Sequence, residues 1–387
     1  MPDVAKVVLL IETSGEYARG LLRGIANYSR LHGPWAFYSE PPFERGRSLT
    51  LKGKTLPPLE NWGANGIIMH DEEKTERVLA MGLPTIVIHN TKHQIANLPK
   101  IVPDPEQFGK MAAEHFISKG FSNFAYCGYS DRHWSIQRGK SFADSLKRAG
   151  FDLHYYQRPR NEMKRSWQPK QANWLRSLPK PVGIMACNDN CGRVLVEGCR
   201  IEGLVIPDEV AILGVDNDEF VCNLSAPPLS SIAVNTERAG YEAAELLDKM
   251  MKGQKVTNHK IIVRPLYVVP RQSTDILMVE DEHLAKALRY IREHIRDLVS
   301  VSDVVNVTEI SRRSLEMRFK KIVGRSIYAE IRRLRVELIS KMLLETNLPV
   351  SKIAIDLNYP SIEHIARYFK SETTLSPTEY RKFFAQK

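Results

Sequence analysis

The chain has 387 residues, more than one ordinary hydrophobic core accommodates, so two or three domains are expected. Hydrophobic residues make up 43% of the chain and charged residues 26%, as in globular proteins, and no apolar run reaches the roughly 18 residues of a membrane-spanning helix. The net charge of +10 suits a polyanionic partner but does not identify one.

The cysteines and the N-terminus indicate a reducing compartment. The five cysteines are odd in number and form no Cys-x-x-Cys pair, which argues against a zinc site and against a disulfide framework. No small-residue cleavage site follows the short apolar opening over residues 7–11, so no signal peptide is expected. We therefore expect a cytoplasmic protein with no metal, no cofactor and no membrane contact.

The first 275 residues alternate between short apolar strands and amphipathic helices. Residues 4–11 form a β-branched apolar run that predicts a buried parallel strand, and the next segment carries a helical apolar stripe. Further predicted strands cover residues 35–38, 66–69, 85–88, 124–127, 183–186 and 210–213. Strand and helix alternation predicts parallel sheets covered on both faces, and so many strands favour two hinged α/β lobes with a cleft between them.

Polar side chains follow the predicted strands, where open α/β sheets bind their ligands. Carboxylates, amides, a guanidinium group and an aromatic ring are the groups that a neutral sugar needs, because its hydroxyls both donate and accept. Each residue alone has an equally good role as a helix cap or turn residue. The candidate ligand-binding residues are Arg138, Asp216, Asn217, Asp189, Asn188, Trp134, Tyr17 and Glu12.

Three stretches resemble the LacI/GalR-type sensor domain, which is related to periplasmic sugar-binding proteins: Cys-Asn-Asp at 187–189, the segment 207–217 that opens Pro-Asp-Glu-Val, and Pro-Pro-Leu-Ser-Ser-Ile at 227–232. The resemblance implies that Arg138 is the sugar-binding arginine and Asp216 its paired carboxylate, with Asn188 or Asp189 completing the set. It also implies that the chain crosses between lobes near residues 117, 234 and 263. Asp104 opens the helix that leads out of the first lobe, as a cap or as a ligand contact.

The C-terminal third contains one pattern twice. Residues 315–320 (Leu-Glu-Met-Arg-Phe-Lys) and 365–370 (Ile-Ala-Arg-Tyr-Phe-Lys) each end a predicted helix-turn-helix unit, over 302–323 and 350–370. We expect a sensor domain over 1–275, a linker over 276–282 and an all-α DNA-binding domain over 283–387.

This last region resembles the AraC-type DNA-binding domain, in which a long helix, here 326–344, joins two helix-turn-helix units that read successive major grooves. Leu315, Phe319, Ile365 and Phe369 are then core residues. Arginine reads guanine and glutamate accepts from cytosine, so outward side chains near the start of each reading helix are the expected base contacts. They are Arg312, Arg313, Glu316, Glu363, His364 and Arg367.

At three turn positions the sequence has another residue where the AraC-type pattern has or commonly has glycine. Glu309 and Thr374 replace glycines that are usual there, and Asn358 stands where glycine is common. Asparagine tolerates a left-handed backbone better than most residues do. At Glu309 and Thr374, either the turn geometry differs or the fold tolerates strain.

A LacI-type sensor placed before an AraC-type domain is an unusual order, and it resembles that of xylose-responsive activators. The resemblance implies a homodimeric regulator that binds operator DNA and D-xylose or a related pentose, activates pentose-utilisation genes and contacts RNA polymerase. A different sugar or a partner protein remains an alternative signal. An enzyme is not expected, because no GxSxG, GxxxxGK[ST] or HExxH motif occurs and sugar binding alone explains Asp189 with Asp216.

Overall fold

The computed structural model forms two compact units, Met1–Ile276 and Leu277–Lys387, which are described separately. The residues it describes are 4–39, 62–71, 75–88, 97–159, 169–276, 281–345 and 348–385. Most of the predicted linker over 276–282, namely residues 277–280, lies outside the described residues. Among the described helices, none has both the length and the apolar character to cross a bilayer.

The N-terminal unit alternates strands with helices, as its sequence predicts. Its strands are β1 (Ala5–Leu10), β2 (Trp35–Ser39), β3 (Gly66–His70), β4 (Thr85–Ile88), β5 (Lys100–Pro103), β6 (Asn123–Tyr129), β7 (Leu153–Arg158), β8 (Val182–Ala186), β9 (Val210–Val215), β10 (Ser230–Val234), β11 (Lys260–Val263) and β12 (Pro265–Val269). Its helices are α1 (Glu16–His32), α2 (Thr75–Leu79), α3 (Pro105–Ser118), α4 (His133–Arg148), α5 (Pro169–Ser177), α6 (Asp189–Ile201), α7 (Glu219–Leu224) and α8 (Thr236–Met251).

Two six-stranded sheets organise this unit into two lobes. The first sheet has the order β11-β5-β4-β3-β1-β2 and is parallel throughout, and the second has the order β12-β10-β9-β8-β6-β7 with only β10 and β12 antiparallel. Strands such as β8 and β9 are buried along their whole length, as expected for sheets covered by helices on both faces. The two-lobed α/β architecture that the sequence predicts is confirmed.

The lobes are joined by three chain crossings, and the first differs from its prediction. Helix α3 packs on α4, and its Phe116 ring lies against the backbone of Gly183 in the second sheet, where an added Cβ would approach the ring to 2.7 Å. The chain therefore leaves the first lobe near residue 104 rather than near 117, because the apolar face of α3 is buried in the second lobe. The other crossings lie at 234–236 and 263–265.

Helix α8 returns to the first lobe and packs closely on α1. A Cβ at Gly24 would lie 1.9 Å from the carbonyl oxygen of Glu237, so only glycine permits this approach. Ala243, Ala244 and Leu247 of α8 join the buried apolar residues of the first sheet. The first lobe is thus built from segments that come before and after the second lobe in sequence.

The C-terminal unit is entirely helical among its described residues. Its helices are α9 (Glu282–Glu293), α10 (Val301–Asn306), α11 (Arg312–Ile322), α12 (Ile327–Glu345), α13 (Val350–Asp356), α14 (Ile362–Thr373) and α15 (Pro377–Ala385). Helices α10 and α11 form the first helix-turn-helix unit, α13 and α14 form the second, and α12 is the predicted long connecting helix.

Two small cores hold the helix-turn-helix units, and α12 contributes to both. Leu315 and Phe319 are buried in the first core with the N-terminal half of α12. Ile365 and Phe369 are buried in the second core with its C-terminal half. The predicted core role of these four residues is confirmed, and a shared helix sets the spacing between the two units.

The three unusual turn residues all adopt the left-handed backbone of the glycines that they replace. The φ angles are +59° at Glu309, +57° at Asn358 and +67° at Thr374. The usual turn geometry is therefore kept and the strain is tolerated. Local bonds hold these turns: Glu309 pairs with Lys286 at 2.8 Å, and the Thr374 N–H donates to a helix carbonyl at 3.0 Å.

Candidate ligand cleft and nucleic-acid interface

A cavity of about 140 Å³ lies between the two lobes of the N-terminal unit. This is below the roughly 300 Å³ at which sites for drug-sized ligands begin, and it suits a small ligand. Both lobes contribute to its wall. The lining residues are Glu12, Ser14, Gly15, Tyr17, Ala18, His70 and Pro103 from the first lobe, and Trp134, Arg138, Asn188 and Asp216 from the second.

Six of the eight predicted ligand-binding residues therefore meet at one cavity. His70 and Pro103 also line it, although the sequence interpretation did not select them. Each is the last residue of a strand, β3 and β5 respectively, but the strand-end rule applied only to His70, because no strand was predicted over residues 100–103. The neighbours of His70 gave no sugar-site pattern, and this is why His70 was missed.

Arg138 is a buried cation held in a fixed position on α4. Its side chain is 4% exposed, and its guanidinium carbon lies 4.5 Å from the ring centroid of Phe108 and 5.2 Å from that of Trp134. One nitrogen, Nη1, donates to the carbonyl oxygen of Cys187. Stacking and this bond fix the planar donor fork, which leaves its other N–H groups to address a ligand oxygen.

Asp216 is the counterpart of Arg138 at the end of β9. Its Oδ1 is buried and has no hydrogen-bond partner among the described residues. Burial raises the pKa of this carboxyl to about 6, while the nearby Arg138 guanidinium lowers it. A buried acceptor without a donor is costly. A ligand hydroxyl that donates to Oδ1 removes that cost.

The backbone at Asp216 is strained. Its φ is +102° and that of Asn217 is +52°, so two successive residues that are not glycine adopt left-handed conformations. Such positions cluster at ligand sites, where surrounding bonds hold them. The N–H of Asp216 donates to the Ile232 carbonyl at 3.0 Å, and that of Asn217 donates to Ser231 Oγ at 3.0 Å.

Asp189 and Asn217 do not line the cavity, unlike the sequence expectation. Asp189 is buried behind the site, where its oxygens accept from the Asp218 N–H at 2.6 Å and from the Ser231 hydroxyl at 2.5 Å. A Cβ at Gly214 would lie 2.1 Å from this carboxylate, so the glycine makes room for it. Asp189 therefore orients the loop that carries Asp216, and we assign it no ligand contact.

Asn188 and Asp104 show how capping and binding roles divide. Asn188 Oδ1 accepts from the Cys191 N–H at 2.9 Å as the N-cap of α6, so Nδ2 is the atom left to donate into the cavity. Asp104 caps α3 by accepting from the Gln107 N–H, and it is not part of the cavity wall. The open alternative at Asp104 thus resolves to a helix cap.

The first lobe adds hydroxyl and carboxylate groups to the cleft. Burial, with the Asp216 carboxylate nearby, raises the pKa of the Tyr17 phenol well above its ordinary value, so Tyr17 stays protonated and can donate. Glu12 accepts from the Ser14 hydroxyl at 2.7 Å. An ion pair from Arg19 to Asp218, at 2.6 Å, crosses between the lobes. The cleft therefore offers donors and acceptors from both sides.

The C-terminal unit displays the predicted base-contacting residues on its surface. Arg312, Arg313, Glu363, His364 and Arg367 are exposed at or near the first turns of α11 and α14. Glu316, one turn further along α11, is partly exposed. Caps at Ser311 and Ser361, which accept from backbone N–H groups at 3.3 and 3.2 Å, fix where these helices begin.

Arginines elsewhere in the unit form ion pairs that Arg312 and Arg313 lack. Arg318 pairs with Asp281 at 2.6 Å, and Arg333 pairs with Glu330 at 2.9 Å. Within the described part of the chain, no ion pair involves Arg312 or Arg313, whereas Arg367 has the Glu363 carboxylate one turn before it on α14. Arginines at a helix N-terminus oppose the helix dipole, so Arg312 and Arg313 gain nothing locally from their position. Binding of a polyanion would neutralise these positive charges.

Ile362, at the start of α14, is a surface residue that the sequence interpretation missed. Its side chain is 46% exposed, next to Glu363 and His364. An apolar group at this point is suited to contact a thymine methyl group. The sequence interpretation sought charged side chains as base contacts, so an apolar residue at this position gave no signal.

Comparison with known proteins agrees with this architecture. Residues 113–274 match the periplasmic binding protein-like domain, and residues 304–382 match a helix-turn-helix domain. The fold and its sites thus define a class: transcriptional regulators that carry a ligand-sensing domain and a DNA-binding domain in one chain.

Relatives of full length narrow the class to one family. The chain is 31% identical over 388 residues to a xylose operon regulatory protein of Haemophilus influenzae, covering 97% of this chain and 98% of the relative. It is 29% identical over 392 residues to the protein of the same name in Escherichia coli, covering 97% and 96%. The chain belongs to the family of xylose operon regulatory proteins. The two resemblances found in the sequence are confirmed.

Solved structures support the same arrangement. A structure described as a xylose-binding transcription activator matches with a TM-score of 0.77 at 27% identity and covers 99% of both chains. A LacI-type regulator from Alkaliphilus metalliredigens, solved with D-xylulofuranose, matches with a TM-score of 0.57 at 20% identity over 69% of this chain and 98% of its own. The second likeness concerns the fold alone.

Proposed function

We propose that the protein binds D-xylose in the cleft and that the bound sugar controls how its helix-turn-helix units bind operator DNA. The observation that supports this most directly is the buried Asp216 oxygen without a donor in a cleft that also holds the buried Arg138. Together they supply a charged acceptor and a charged donor for sugar hydroxyls. The names of the full-length relatives favour xylose as the sugar.

The ligand contacts that we propose are Arg138, Asp216, Asn188, Trp134, Tyr17 and Glu12, with His70 added from the structure. Asp216 accepts from one sugar hydroxyl, and the Arg138 fork donates to another sugar oxygen. Trp134 supplies an apolar face beside the ring. None of these groups needs to react with the sugar, so binding without catalysis is the proposal, and product analysis after incubation with pentoses tests it.

The DNA contacts that we propose are Arg312, Arg313 and Glu316 in the first unit and Glu363, His364 and Arg367 in the second. Two reading helices on one rigid connector are suited to two major-groove segments about 34 Å apart. Partner assembly belongs to the same proposal: a homodimer on the operator, contact with RNA polymerase and activation of pentose-utilisation genes in the cytoplasm.

Fluorescence anisotropy with the full chain tests this function. Operator DNA is obtained by selection from a random duplex library, and its affinity is measured with and without D-xylose. Calorimetry against a panel of pentoses and hexoses identifies the sugar. A DNA affinity, spacing preference and transcription output that do not change with any sugar would remove the sugar switch and favour a partner protein as the signal.

Two substitutions separate the two activities. Arg138→Met should abolish D-xylose binding and leave sugar-free DNA affinity unchanged, because Arg138 lies in the cleft of the N-terminal unit. Arg367→Ala should leave D-xylose binding unchanged and weaken DNA binding by about 1–3 kcal/mol if it reads a base. Equal effects of both changes on both activities would contradict the proposed division of roles.

A further inference from the structure

The N-terminal unit ends in a short stretch, residues 271–276, which we call the exit segment because the chain leaves the unit there. Arg271 opens the exit segment, and its guanidinium group is held at three nitrogens. Nη2 donates to Asn217 Oδ1 at 2.9 Å, Nη1 to the Leu229 carbonyl at 3.0 Å, and Nε to Asn223 Oδ1 at 3.2 Å. The exit segment is therefore bonded to the residue that follows Asp216.

A second set of bonds joins the same two places through the start of β10. Ser230 Oγ accepts from the Arg271 N–H and donates to the Arg271 carbonyl, both at 2.8 Å. Ser231, the next residue, accepts from the Asn217 N–H and donates to Asp189. Both serines are fully buried. Neighbouring side chains in a strand point to opposite faces, so β10 connects the exit segment on one face to the Asp216 loop on the other.

The Asp216–Asn217 loop, which lies between the cavity and the exit segment, is suited to adopt two arrangements. Asp216 and Asn217 hold left-handed conformations that persist only while surrounding bonds maintain them. No described residue donates to Asp216 Oδ1, and a bound sugar hydroxyl would supply such a donor. A bound ligand would thus add a hydrogen bond to this loop. Arg271 of the exit segment already bonds to the same loop, at Asn217.

We propose that Arg271 couples the sugar site to the DNA-binding unit by holding the Asp216–Asn217 loop against the exit segment. Arg271 is a positioning residue, because it lines neither the cavity nor the DNA-reading surface. This inference rests on the proposed function, since it requires that D-xylose alter DNA affinity. Coupling between two sites is a ratio of affinities, and typical ratios are about 5- to 150-fold.

The test is a double-mutant cycle on the full chain. The variants are Arg271→Met, which removes the donor group, Asn217→Gly, which removes the acceptor but permits the left-handed backbone, and both together. The measured quantity is the ratio of operator affinities with and without saturating D-xylose, using DNA selected with the unmodified protein. Arg238→Met, an exposed arginine on α8, is the matched control and should keep the full ratio.

We expect each single variant to bring this ratio close to one while sugar-free DNA affinity stays within about twofold of the unmodified protein. The double variant should show the same ratio as Arg271→Met, because loss of the guanidinium group already removes its bond to Asn217. An unchanged ratio in Arg271→Met, or a ratio in the double variant that differs from that of Arg271→Met, would overturn the inference. So would complete loss of D-xylose binding by Arg271→Met in calorimetry, since that result would place Arg271 in the sugar site.

Failure of the proposed function gives a different result. In that case the unmodified protein itself has the same operator affinity with and without D-xylose, which is a ratio of one. Reciprocity supplies an internal check, because operator DNA must change the D-xylose affinity of the unmodified protein by the same factor. In Arg271→Met, both factors should fall together.

Discussion

Replacing Asp216 by asparagine should weaken sugar binding and stabilise the empty protein at the same time. Asparagine has nearly the same shape as aspartate but carries no charge, so the cleft keeps its form. The prediction follows from the buried Oδ1 that lacks a donor and from the strained loop that aims it at the cavity. If this side chain served only the fold, its replacement would destabilise the protein.

The loss of affinity can be sized from the bond that the ligand is expected to form. A hydrogen bond to a charged acceptor contributes about 1.5–3 kcal/mol, and one to a neutral acceptor contributes about 0.5–1.5 kcal/mol. The difference of about 1–2 kcal/mol corresponds to D-xylose binding that is roughly 5- to 30-fold weaker in Asp216→Asn. Titration calorimetry at pH 8, where Asp216 is ionised, measures this directly.

The gain in stability has the opposite sign because burial raises the pKa of Asp216 from 3.8 to about 6. A raised carboxyl pKa contributes stability that is fully present below pH 3.8 and is lost as the pH rises through about 6. At pH 8 the ionised group therefore costs the empty fold up to about 3 kcal/mol. Urea unfolding should show Asp216→Asn to be the more stable protein at pH 8, by a margin that shrinks towards pH 4.

Asp152→Asn, at an exposed position in the same lobe, is the matched control and should change neither quantity. Two results would refute the reasoning: D-xylose affinity within twofold of the unmodified protein, or an Asp216→Asn protein that is less stable at pH 8. The first would remove Asp216 from the site. The second would show that the Asp216 carboxylate stabilises the fold through a partner of its own.

Three other predictions concern pH, turn strain and the C-terminal unit. D-xylose affinity should fall about tenfold from pH 7 to pH 5 in calorimetry, because protonation of Asp216, with a pKa of about 6, removes the charged acceptor; a flat profile would contradict this. In urea unfolding, Thr374→Gly should stabilise the protein by about 1 kcal/mol, since a β-branched residue is strained at a φ of +67°. Glu309→Gly should gain less because it also loses an ion pair, and equal gains would contradict that reasoning. Arg335→Met should cost about 3 kcal/mol or more, since this 4% exposed arginine bonds to the Tyr359 hydroxyl and to two carbonyl oxygens; an unchanged unfolding midpoint would refute it.

The strand-end rule located the cleft from sequence but could not separate the residues that face it from those behind it. Asp189 and Asp216 both follow apolar strands, and each could be a ligand or a structural group. The distinction depends on the left-handed backbone at Asp216 and on the buried hydroxyl of Ser231, which holds Asp189 inward. Neither leaves a periodic signal, because each arises where separate strands meet.

The assignment of α3 failed for a related reason. Its apolar stripe shows that one face is buried, and the cap at Asp104 shows where the helix begins, but neither indicates which sheet covers that face. The partner is decided by residues far away in sequence, notably the space that Gly183 leaves for Phe116. By contrast, the core positions Leu315 and Ile365 could be predicted because their partners lie within the same short helical unit.

The basic residues of the C-terminal unit show why total charge says little about binding. Arg318 and Arg333 are as basic in sequence as Arg312 and Arg313, and all four lie within a short stretch. In the structure the first two neutralise carboxylates of their own fold, whereas the last two stand at a helix start where the dipole disfavours them and no described carboxylate meets them. The positive charge at the start of α11 is therefore carried by arginines that contribute little to the fold, and it is left available to a polyanion.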